Sequence, residues 1–180
     1  MALDRERLRE VFATIGNALL HPTTICLIGS SPSIFLGQAA RQTQDIDIWQ
    51  PMSASDEGDF AQACRAAQLI YDPQGEISPD DVYIQIVRPG IVALPRSFET
   101  EILARFGRLT LVMPPPVLIA AAKLTRASDT DVQDIVWWMR ARRFGMPELE
   151  SAIKSLPTRE NRETAFDNLI VAALVLGDKP

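Results

Sequence analysis

The spacing of hydrophobic and polar residues predicts helices and strands that alternate along the first part of the chain. Residues 4–19 carry apolar side chains at helical intervals, and Asp4 is placed to cap this helix. Short apolar runs, typical of buried strands, occur at residues 25–28, 45–49, 82–87 and 109–113. Helical periodicity recurs between them, at residues 32–40, 56–69 and 98–106. This alternation predicts an α/β fold in which helices flank a small mixed sheet.

The last third of the chain is predicted to be helical. Apolar residues recur at helical spacing in four segments, 117–126, 129–143, 148–155 and 159–176. Of the remaining segments, residues 91–94 are predicted as one more short strand and residues 77–81 as a loop or short edge strand. We therefore expect an α/β core at residues 1–113 and a helical C-terminal region at residues 114–180 that packs on it.

Gly29, Ser30 and Ser31 form a predicted turn between the first strand and the following helix. The glycine allows a tight turn, and the backbone N–H groups and the two hydroxyls are hydrogen-bond donors. Pro32 fits the first turn of the helix, where its missing N–H costs nothing. Because unpaired N–H groups before a helix favour an anion, the turn is a candidate phosphate-binding site.

Asp45 and Asp47 lie two residues apart on the next predicted strand. Alternation along a strand places both carboxylates on one face and turns Ile46 and Ile48 to the other. Adjacent carboxylates repel each other unless a cation or a proton lies between them, and Mg²⁺ binds one or two carboxylates together with water and phosphate oxygens. The pair is a candidate metal site. The alternative is a pair of solvated residues on an edge strand, which is what most Asp-x-Asp sequences are.

The composition limits the kinds of metal site and catalytic site that the chain can form. His21 is the only histidine, and Cys26 and Cys64 are the only cysteines, which leaves little room for a zinc site, a disulfide framework or His-dependent catalysis. Carboxylates are then the ligands available to a metal, and they favour Mg²⁺ or Mn²⁺. A net charge of −5 argues against broad, non-specific binding of nucleic acid, although it allows a local basic groove.

Hydropathy gives an expectation about location. Hydrophobic residues make up 47% of the chain and charged residues 23%, the usual proportions of a soluble globular protein. No apolar run reaches the roughly 18 residues of a membrane span. The N-terminal residues are charged and lack the apolar core of a signal peptide, so we expect a cytoplasmic protein without a membrane partner.

The sequence Gly29-Ser30, a spacer of helix length and Arg41-x-Thr43-x-Asp45-x-Asp47 resembles the first motif of the minimal nucleotidyltransferase fold. More narrowly, residues 8–145 resemble the abortive-infection type toxin nucleotidyltransferases (the AbiEii-like group) and their uncharacterised bacterial relatives. The resemblance implies that the two aspartates hold the catalytic metal. It assigns nucleotide binding to Gly29, Ser30, Ser31, Arg41 and Thr43. It also implies a nucleoside triphosphate substrate, an RNA, protein or small-molecule acceptor, and a cognate antitoxin.

A lysine interrupts the apolar helix predicted at residues 117–126. In the same family a Pro-led apolar helix ends in such a lysine and is followed by an arginine and Asp-x-x-Asp. The matching residues here are Lys123, Arg126, Asp131 and Asp134. The resemblance implies that Lys123 contacts the nucleotide triphosphate and that Asp134 supports catalysis. The structural alternatives are a Lys123 side chain that extends to the surface and a salt bridge from Asp134 to Lys123 or Arg126.

Two positions depart from the family pattern. The family has Gly-Gly-Ser or Gly-Gly-x-Ala at the turn, whereas this chain has Gly29-Ser30-Ser31. The strand at residues 82–87 normally carries a third carboxylate, and the matching residue here is Gln85, which cannot act as a base. The first hypothesis, which the resemblance implies, is a Mg²⁺-dependent nucleotidyltransferase, and Gln85 counts against it. The alternatives are a non-catalytic nucleotide-binding or regulatory protein on the same fold and a structural module without a ligand.

Overall fold

The computed structural model describes residues 2–177 and confirms the predicted α/β class. The chain forms two compact units. The first comprises the chain up to Arg88 together with Thr100–Met113, and the second comprises Pro89–Glu99 and the chain from Pro114 onward. The predicted C-terminal region extends to residues 178–180, which lie outside the described residues.

The elements follow one another in the order helix, strand, helix, strand along most of the first unit. Its strands are β1 (Thr23–Cys26), β2 (Asp45–Trp49), β3 (Ile70–Tyr71), β4 (Tyr83–Val87), β5 (Glu101–Phe106) and β6 (Leu109–Met113). Its helices are α1 (Arg5–Ala18), α2 (Ser31–Phe35) and α3 (Glu57–Ala66), with a 3-10 turn at Gln50–Met52. The second unit contains α4 (Pro116–Leu124), α5 (Asp129–Arg142), α6 (Met146–Lys154) and α7 (Arg159–Leu176).

The strands of the first unit form two three-stranded sheets. One has the order β1-β6-β5 and the other the order β2-β4-β3. The pairs β1–β6, β2–β4 and β3–β4 are parallel, and β5–β6 is antiparallel. An antiparallel bridge between Leu27 and Ile48 connects the two sheets, and the N–H of Ile28 donates to the carbonyl of Asp47 at 3.0 Å. This connection brings the turn after β1 beside β2.

Helix α1 confirms the amphipathic helix predicted at residues 4–19. Its apolar stripe, Leu8, Val11, Phe12 and Ile15, is buried in the core of the first unit together with residues of α3 and of the strands. The carboxylate of Asp4 caps the helix and accepts a hydrogen bond from the N–H of Arg7 at 2.9 Å. Helical periodicity alone therefore identified the helix and its buried face correctly.

Helix α4 lies at the centre of the second unit. It packs against α5, α6 and α7, and Asn168 on α7 donates through Nδ2 to the carbonyl of Leu124 at 2.8 Å. Because neighbours cover it on several sides, its sequence is apolar around most of its circumference. Within the described residues, no helix combines the length and apolarity needed to cross a membrane.

The prediction of a helix at residues 98–106 is wrong, since this segment contains strand β5. Strand β5 pairs with β6 across the two-residue loop Gly107-Arg108, and Gly107 has a φ of +52°. Ile102, Leu103 and Phe106 have spacings that fit a helix or a strand, so periodicity alone did not separate the two. The positive φ at the loop favours glycine and closes the hairpin.

Three other boundaries differ from the prediction. Helix α2 ends at Phe35 rather than residue 40, because Gly37 and Ala40 adopt φ values of +100° and +57°. Helix α3 ends at Ala66, and the chain turns at Gln68 into the unpredicted short strand β3. The strand predicted at residues 91–94 is reduced to a single bridge between Pro89 and Val92.

Asp59, in the first turn of α3, holds the loop between α1 and β1. Its carboxylate accepts hydrogen bonds from the backbone N–H groups of Leu20 at 3.0 Å and His21 at 2.9 Å. These bonds lower the pKa of Asp59, and the bond from Leu20 has the largest effect. Burial acts in the opposite direction but is outweighed.

Because the folded-state pKa of Asp59 lies below its ordinary value, its stabilising effect is complete above that ordinary value and disappears as the pH falls through the folded-state pKa. We expect Asp59→Asn to lower the free energy of unfolding at neutral pH. The difference from wild type should shrink as the pH falls below about 4. Urea unfolding across this range measures it, with the exposed Glu76→Gln as control. A difference that is constant with pH would contradict the prediction.

Candidate functional site

The turn after β1 brings the backbone of Gly29 against the carboxylate of Asp47. Gly29 has a φ of +68°, and a Cβ at this position would lie 2.4 Å from Asp47 Oδ2. Both the backbone conformation and the space therefore require glycine here. The predicted phosphate-binding turn and one of the predicted metal ligands are thus direct neighbours.

Asp45 is positioned by two hydroxyl groups from the preceding segments. Thr43 Oγ1 donates to Asp45 Oδ1, and Ser31 Oγ donates to the carbonyl of Asp45 at 3.4 Å. Ser31 and Thr43 are both buried. The carbonyl of Ser30 accepts from Ser33 Oγ at 2.9 Å. Thr43 and Ser31 therefore orient Asp45 and the start of β2.

Strand β2 confirms the predicted alternation. Ile46 and Ile48 are buried on one face, whereas Asp45 and Asp47 are half-buried on the other. The parallel register with β4 pairs Asp45 with Tyr83 and Asp47 with Gln85. Burial first, and then the negative charges of Asp45 and Asp47, raise the pKa of Tyr83. Two carboxylates, a phenol and an amide thus share one face of the sheet.

Tyr83 is a further residue of this face that was not predicted from the sequence. The signal was present, because Tyr83 precedes Gln85 by two residues and alternation along β4 puts both on one face. Its neighbour across the strands depends on the register, which the sequence alone did not supply. Arg41 lies in the loop before β2, where Nη1 donates to the carbonyl of Gln42 at 3.3 Å.

The donor set on this face suits a hard cation. Oxygen atoms of Asp45 and Asp47 are the ligand type that Mg²⁺ and Mn²⁺ prefer, and Mg²⁺ commonly takes only one or two carboxylates and completes its shell with water and phosphate oxygens. Within residues 2–177, no group of three or more His, Cys, Asp or Glu side chains could hold a metal ion. Asp45 and Asp47 would therefore supply two protein ligands, and water or phosphate oxygens would have to supply the others.

Lys123 and Asp134 belong to the second unit, where they form a buried ion pair. Lys123 is 6% exposed and Asp134 is fully buried. Lys123 Nζ lies 2.8 Å from Asp134 Oδ2 and 3.1 Å from Asp131 Oδ1. The side chain of Lys123 therefore does not extend to the surface, and the salt bridge considered as the structural alternative for Asp134 is confirmed.

Asp131 connects this ion pair to the surface. Arg126 Nη2 donates to Asp131 Oδ1 at 2.8 Å, and Ser128 Oγ donates to Asp131 Oδ2 at 2.8 Å. Burial alone would raise the pKa of Asp131. The charge of Lys123 and the hydrogen bonds from Ser128 and Arg126 outweigh it, so the pKa is lowered. Asp131 is therefore ionised at neutral pH and balances the charge of Lys123.

Replacing Gly29 by alanine tests the close approach of Asp47. We expect Gly29→Ala to cost about 1–2 kcal/mol of unfolding free energy, because an L-residue is strained in the left-handed region, and to displace the Asp47 carboxylate. Urea unfolding measures the cost. Gly75→Ala is the matched control, since nothing lies within 4 Å of a Cβ there. Equal stability of the two variants would contradict the assigned geometry.

The structure thus groups the predicted site residues within each unit. Gly29, Ser31, Thr43, Asp45 and Asp47 converge on the start of β2 in the first unit. Lys123 and Asp134 are in direct contact in the second unit. Comparison of the chain with protein families, curated proteins and solved structures finds no match.

Proposed function

We propose that this protein is a Mg²⁺-dependent nucleotidyltransferase, which moves a nucleoside monophosphate from a nucleoside triphosphate to an RNA, protein or small-molecule acceptor. The observation that carries the proposal is the pair Asp45 and Asp47 on one face of β2, with Asp47 Oδ2 against the backbone of Gly29. A metal held by such a pair would lie next to the backbone donors of a glycine turn. Phosphoryl-transfer sites need both features.

Each residue has a defined part in this proposal. Asp45 and Asp47 hold the metal, and Thr43 orients Asp45 through its hydrogen bond to Oδ1. Backbone N–H groups of the Gly29–Ser31 turn bind phosphate oxygens. When bound, Mg²⁺ neutralises charge on the transferring phosphoryl group. Tyr83 and Gln85 face the same side of the sheet and are available to contact the nucleotide or the acceptor.

The 2.8 Å contact between Lys123 Nζ and Asp134 Oδ2 supports the part of the resemblance in which Asp134 orients Lys123. Lys123 is 6% exposed, so burial lends no support to the contact with a triphosphate that the resemblance implies for this residue.

Calorimetric titration of the four ribonucleoside triphosphates with Mg²⁺ tests the metal site. We expect saturable binding by the wild type that is at least about tenfold weaker in Asp45→Ala and Asp47→Ala, because each removes a charged ligand. Asp80→Ala, at an exposed carboxylate near β4, is the matched control and should bind like the wild type. Absence of binding by the folded wild type would overturn the proposal.

A non-catalytic, nucleotide-binding or regulatory protein is the second candidate, and Gln85 favours it. Gln85 pairs with Asp47 at the position where the resemblance leads us to expect a third carboxylate, and an amide cannot serve as a base. Release of pyrophosphate from Mg²⁺ and nucleoside triphosphate, with total RNA as acceptor, distinguishes the two. Turnover by the wild type favours the transferase. Binding without turnover, together with activity in Gln85→Asp, favours the second candidate.

A toxin of the family that the sequence resembles would act with a cognate antitoxin. Co-expression of the wild type with proteins encoded beside it tests this partner through relief of growth inhibition. Growth inhibition by the wild type but not by Asp47→Ala supports the hypothesis that the protein is a toxin. Equal growth in both cases contradicts it.

A further inference from the structure

Helix α7 is apolar on the side that packs inside the second unit and also on the side that faces solvent. Apart from Asp167 and Asn168, every residue from 165 to 175 is apolar. A helix that is apolar around its whole circumference is usually buried on all sides. Here the helix packs against α4, α5 and α6 through one side only, which buries Ala165, Leu169, Ala172 and Ala173. The packing of the second unit therefore accounts for only one of the two apolar sides.

The solvent-facing side of α7 carries two rows of apolar side chains. Phe166, Ile170 and Leu174 follow one another at intervals of four residues and form the first row. Val171 and Val175 form the second. All of these side chains are exposed, Ile170 to 56%. Rows spaced by four residues are ridges, and the groove between two of them accepts a ridge of another helix. We call the surface formed by these residues the outer face of α7.

The area of the outer face matches what a weak dimer needs. From their fractional exposures, its side chains present roughly 450 Å² per protomer, as much as the largest apolar patch on a typical monomer. Two such faces in contact would bury about 900 Å² of apolar surface. The polar residues at their edges would bring the total above the roughly 1,000 Å² of a specific interface, at the lower end of the size range.

The outer face is complementary to itself about Ile170. This residue lies midway between Phe166 and Leu174, with one helical turn on either side. In an antiparallel pair centred on it, Ile170 meets its own copy, and Phe166 of each protomer meets Leu174 of the other. A two-fold axis exchanges contacts in this way, so every large side chain of the row gains a large apolar partner.

Charges beside the outer face favour the antiparallel orientation over a parallel one. Glu163 and Asp167 are exposed next to the apolar rows, and Arg159 Nε contacts Glu163 Oε1 at 2.7 Å. A parallel pair would place each of the two carboxylates beside its own copy, where like charges repel. An antiparallel pair separates the two copies of Asp167 by about 9 Å along the helix axis, and those of Glu163 by about 21 Å. These carboxylates also disfavour an anionic membrane, because helices that lie on such membranes carry Lys and Arg on their polar face.

We propose that the outer face of α7 binds a second copy of this chain, in a two-fold symmetric dimer in which the two α7 helices pack antiparallel. Ile170 lies at the symmetry axis, and the ridge of each helix fits the groove of the other. The moderate area gives the dimer a dissociation constant in the micromolar range. The outer face belongs to the second unit, and the dimer is independent of the transferase activity proposed for Asp45 and Asp47 in the first unit.

Sedimentation velocity of the full chain, from micromolar to millimolar protein, tests the dimer. We expect a reversible monomer–dimer equilibrium whose dissociation constant rises at least about a hundredfold in Ile170→Asp, because each dimer would then bury two unpaired charges. Ile91→Asp, at another isoleucine of the second unit that is 62% exposed, is the matched control and should dimerise like the wild type. A wild type that stays monomeric would overturn the proposal, even if it binds phosphatidylcholine–phosphatidylglycerol vesicles. Dimerisation unchanged in Ile170→Asp would overturn the assigned face.

Single cysteines on the outer face test the orientation, with diamide as the oxidant. Ile170→Cys places two thiols at the axis and should form a disulfide-linked dimer. Phe166→Cys alone should not, because its two copies lie about 12 Å apart along the axis and a disulfide requires Cα atoms within about 7 Å. A mixture of Phe166→Cys and Leu174→Cys should cross-link.

The native cysteines do not interfere with this experiment. Cys26 and Cys64 are buried, and burial raises the pKa of both thiols to about 12, so they are unreactive in the folded chain. Equal cross-linking of Phe166→Cys and Ile170→Cys would overturn the antiparallel orientation. Absence of cross-linking in Ile170→Cys would overturn the position of the axis.

Discussion

Replacement of Lys123 by methionine should remove about 3–5 kcal/mol of unfolding free energy, because it leaves two buried carboxylates without their common partner. Asp134 is fully buried and Asp131 nearly so, and Lys123 Nζ contacts both within 3.1 Å. Methionine retains the apolar stem of the side chain, so the loss reports the charge rather than a cavity. Urea unfolding followed by far-UV circular dichroism and by tryptophan fluorescence measures the change.

Two further variants test whether the loss of stability comes from the buried carboxylates. Arg126→Met removes the other cation that contacts Asp131, but the Arg126 side chain is 67% exposed, so we expect a loss below about 1 kcal/mol. Adding Asp134→Leu to Lys123→Met removes a buried carboxylate that has lost its contact with Lys123, and we expect it to recover part of the stability. A loss below about 1 kcal/mol in Lys123→Met would show that the ion pair is not essential to the second unit.

Alanine at Gly16 should cost about 3 kcal/mol of unfolding free energy, although helix propensity alone predicts a gain of roughly 1 kcal/mol. Gly16 lies in α1, where a Cβ would be 1.9 Å from the carbonyl oxygen of Phe106 and 2.7 Å from its carbon. These are backbone atoms of the β5–β6 hairpin, and they cannot rotate away. The same approach lets the N–H of Arg108 donate to the carbonyl of Gly16 at 3.1 Å.

Gly58→Ala is the matched control for this prediction. Gly58 also lies in a helix, α3, but its Cβ would meet only Asp56 Oδ1 at an ordinary 3.5 Å. There we expect the propensity effect to dominate and the stability to change by less than about 1 kcal/mol. Urea unfolding of both variants makes the comparison. Equal stability of Gly16→Ala and Gly58→Ala would contradict the close packing of the hairpin on α1.

Gly16 also illustrates how much of this fold local sequence predicts. The buried apolar face of α1 was predicted correctly, because four apolar residues at helical spacing identify that face within a single element. The role of Gly16 was not visible, because it depends on a hairpin about 90 residues later in the chain. The prediction of a helix at residues 98–106 was wrong for the same reason, because pairing with β6 determines that this segment is a strand.

The candidate site likewise combines features that the sequence predicts with features that depend on tertiary packing. Asp45 and Asp47 were predicted to share a face because a period of two is intrinsic to a strand, and burial of Ile46 and Ile48 confirms it. The association of Lys123 with Asp134 was predicted only as an alternative to a catalytic role. A buried ammonium requires a nearby carboxylate, but several acidic residues follow it in the sequence, and only packing of α5 on α4 selects Asp131 and Asp134.

Periodicity within single elements was sufficient to predict the α/β class, most helices and strands, and the shared face of Asp45 and Asp47. The contact between Asp47 and Gly29, and the position of Tyr83 and Gln85 beside the two aspartates, became visible only in the fold. These features depend on strand register and on contacts between distant segments, which the packing of the whole unit sets.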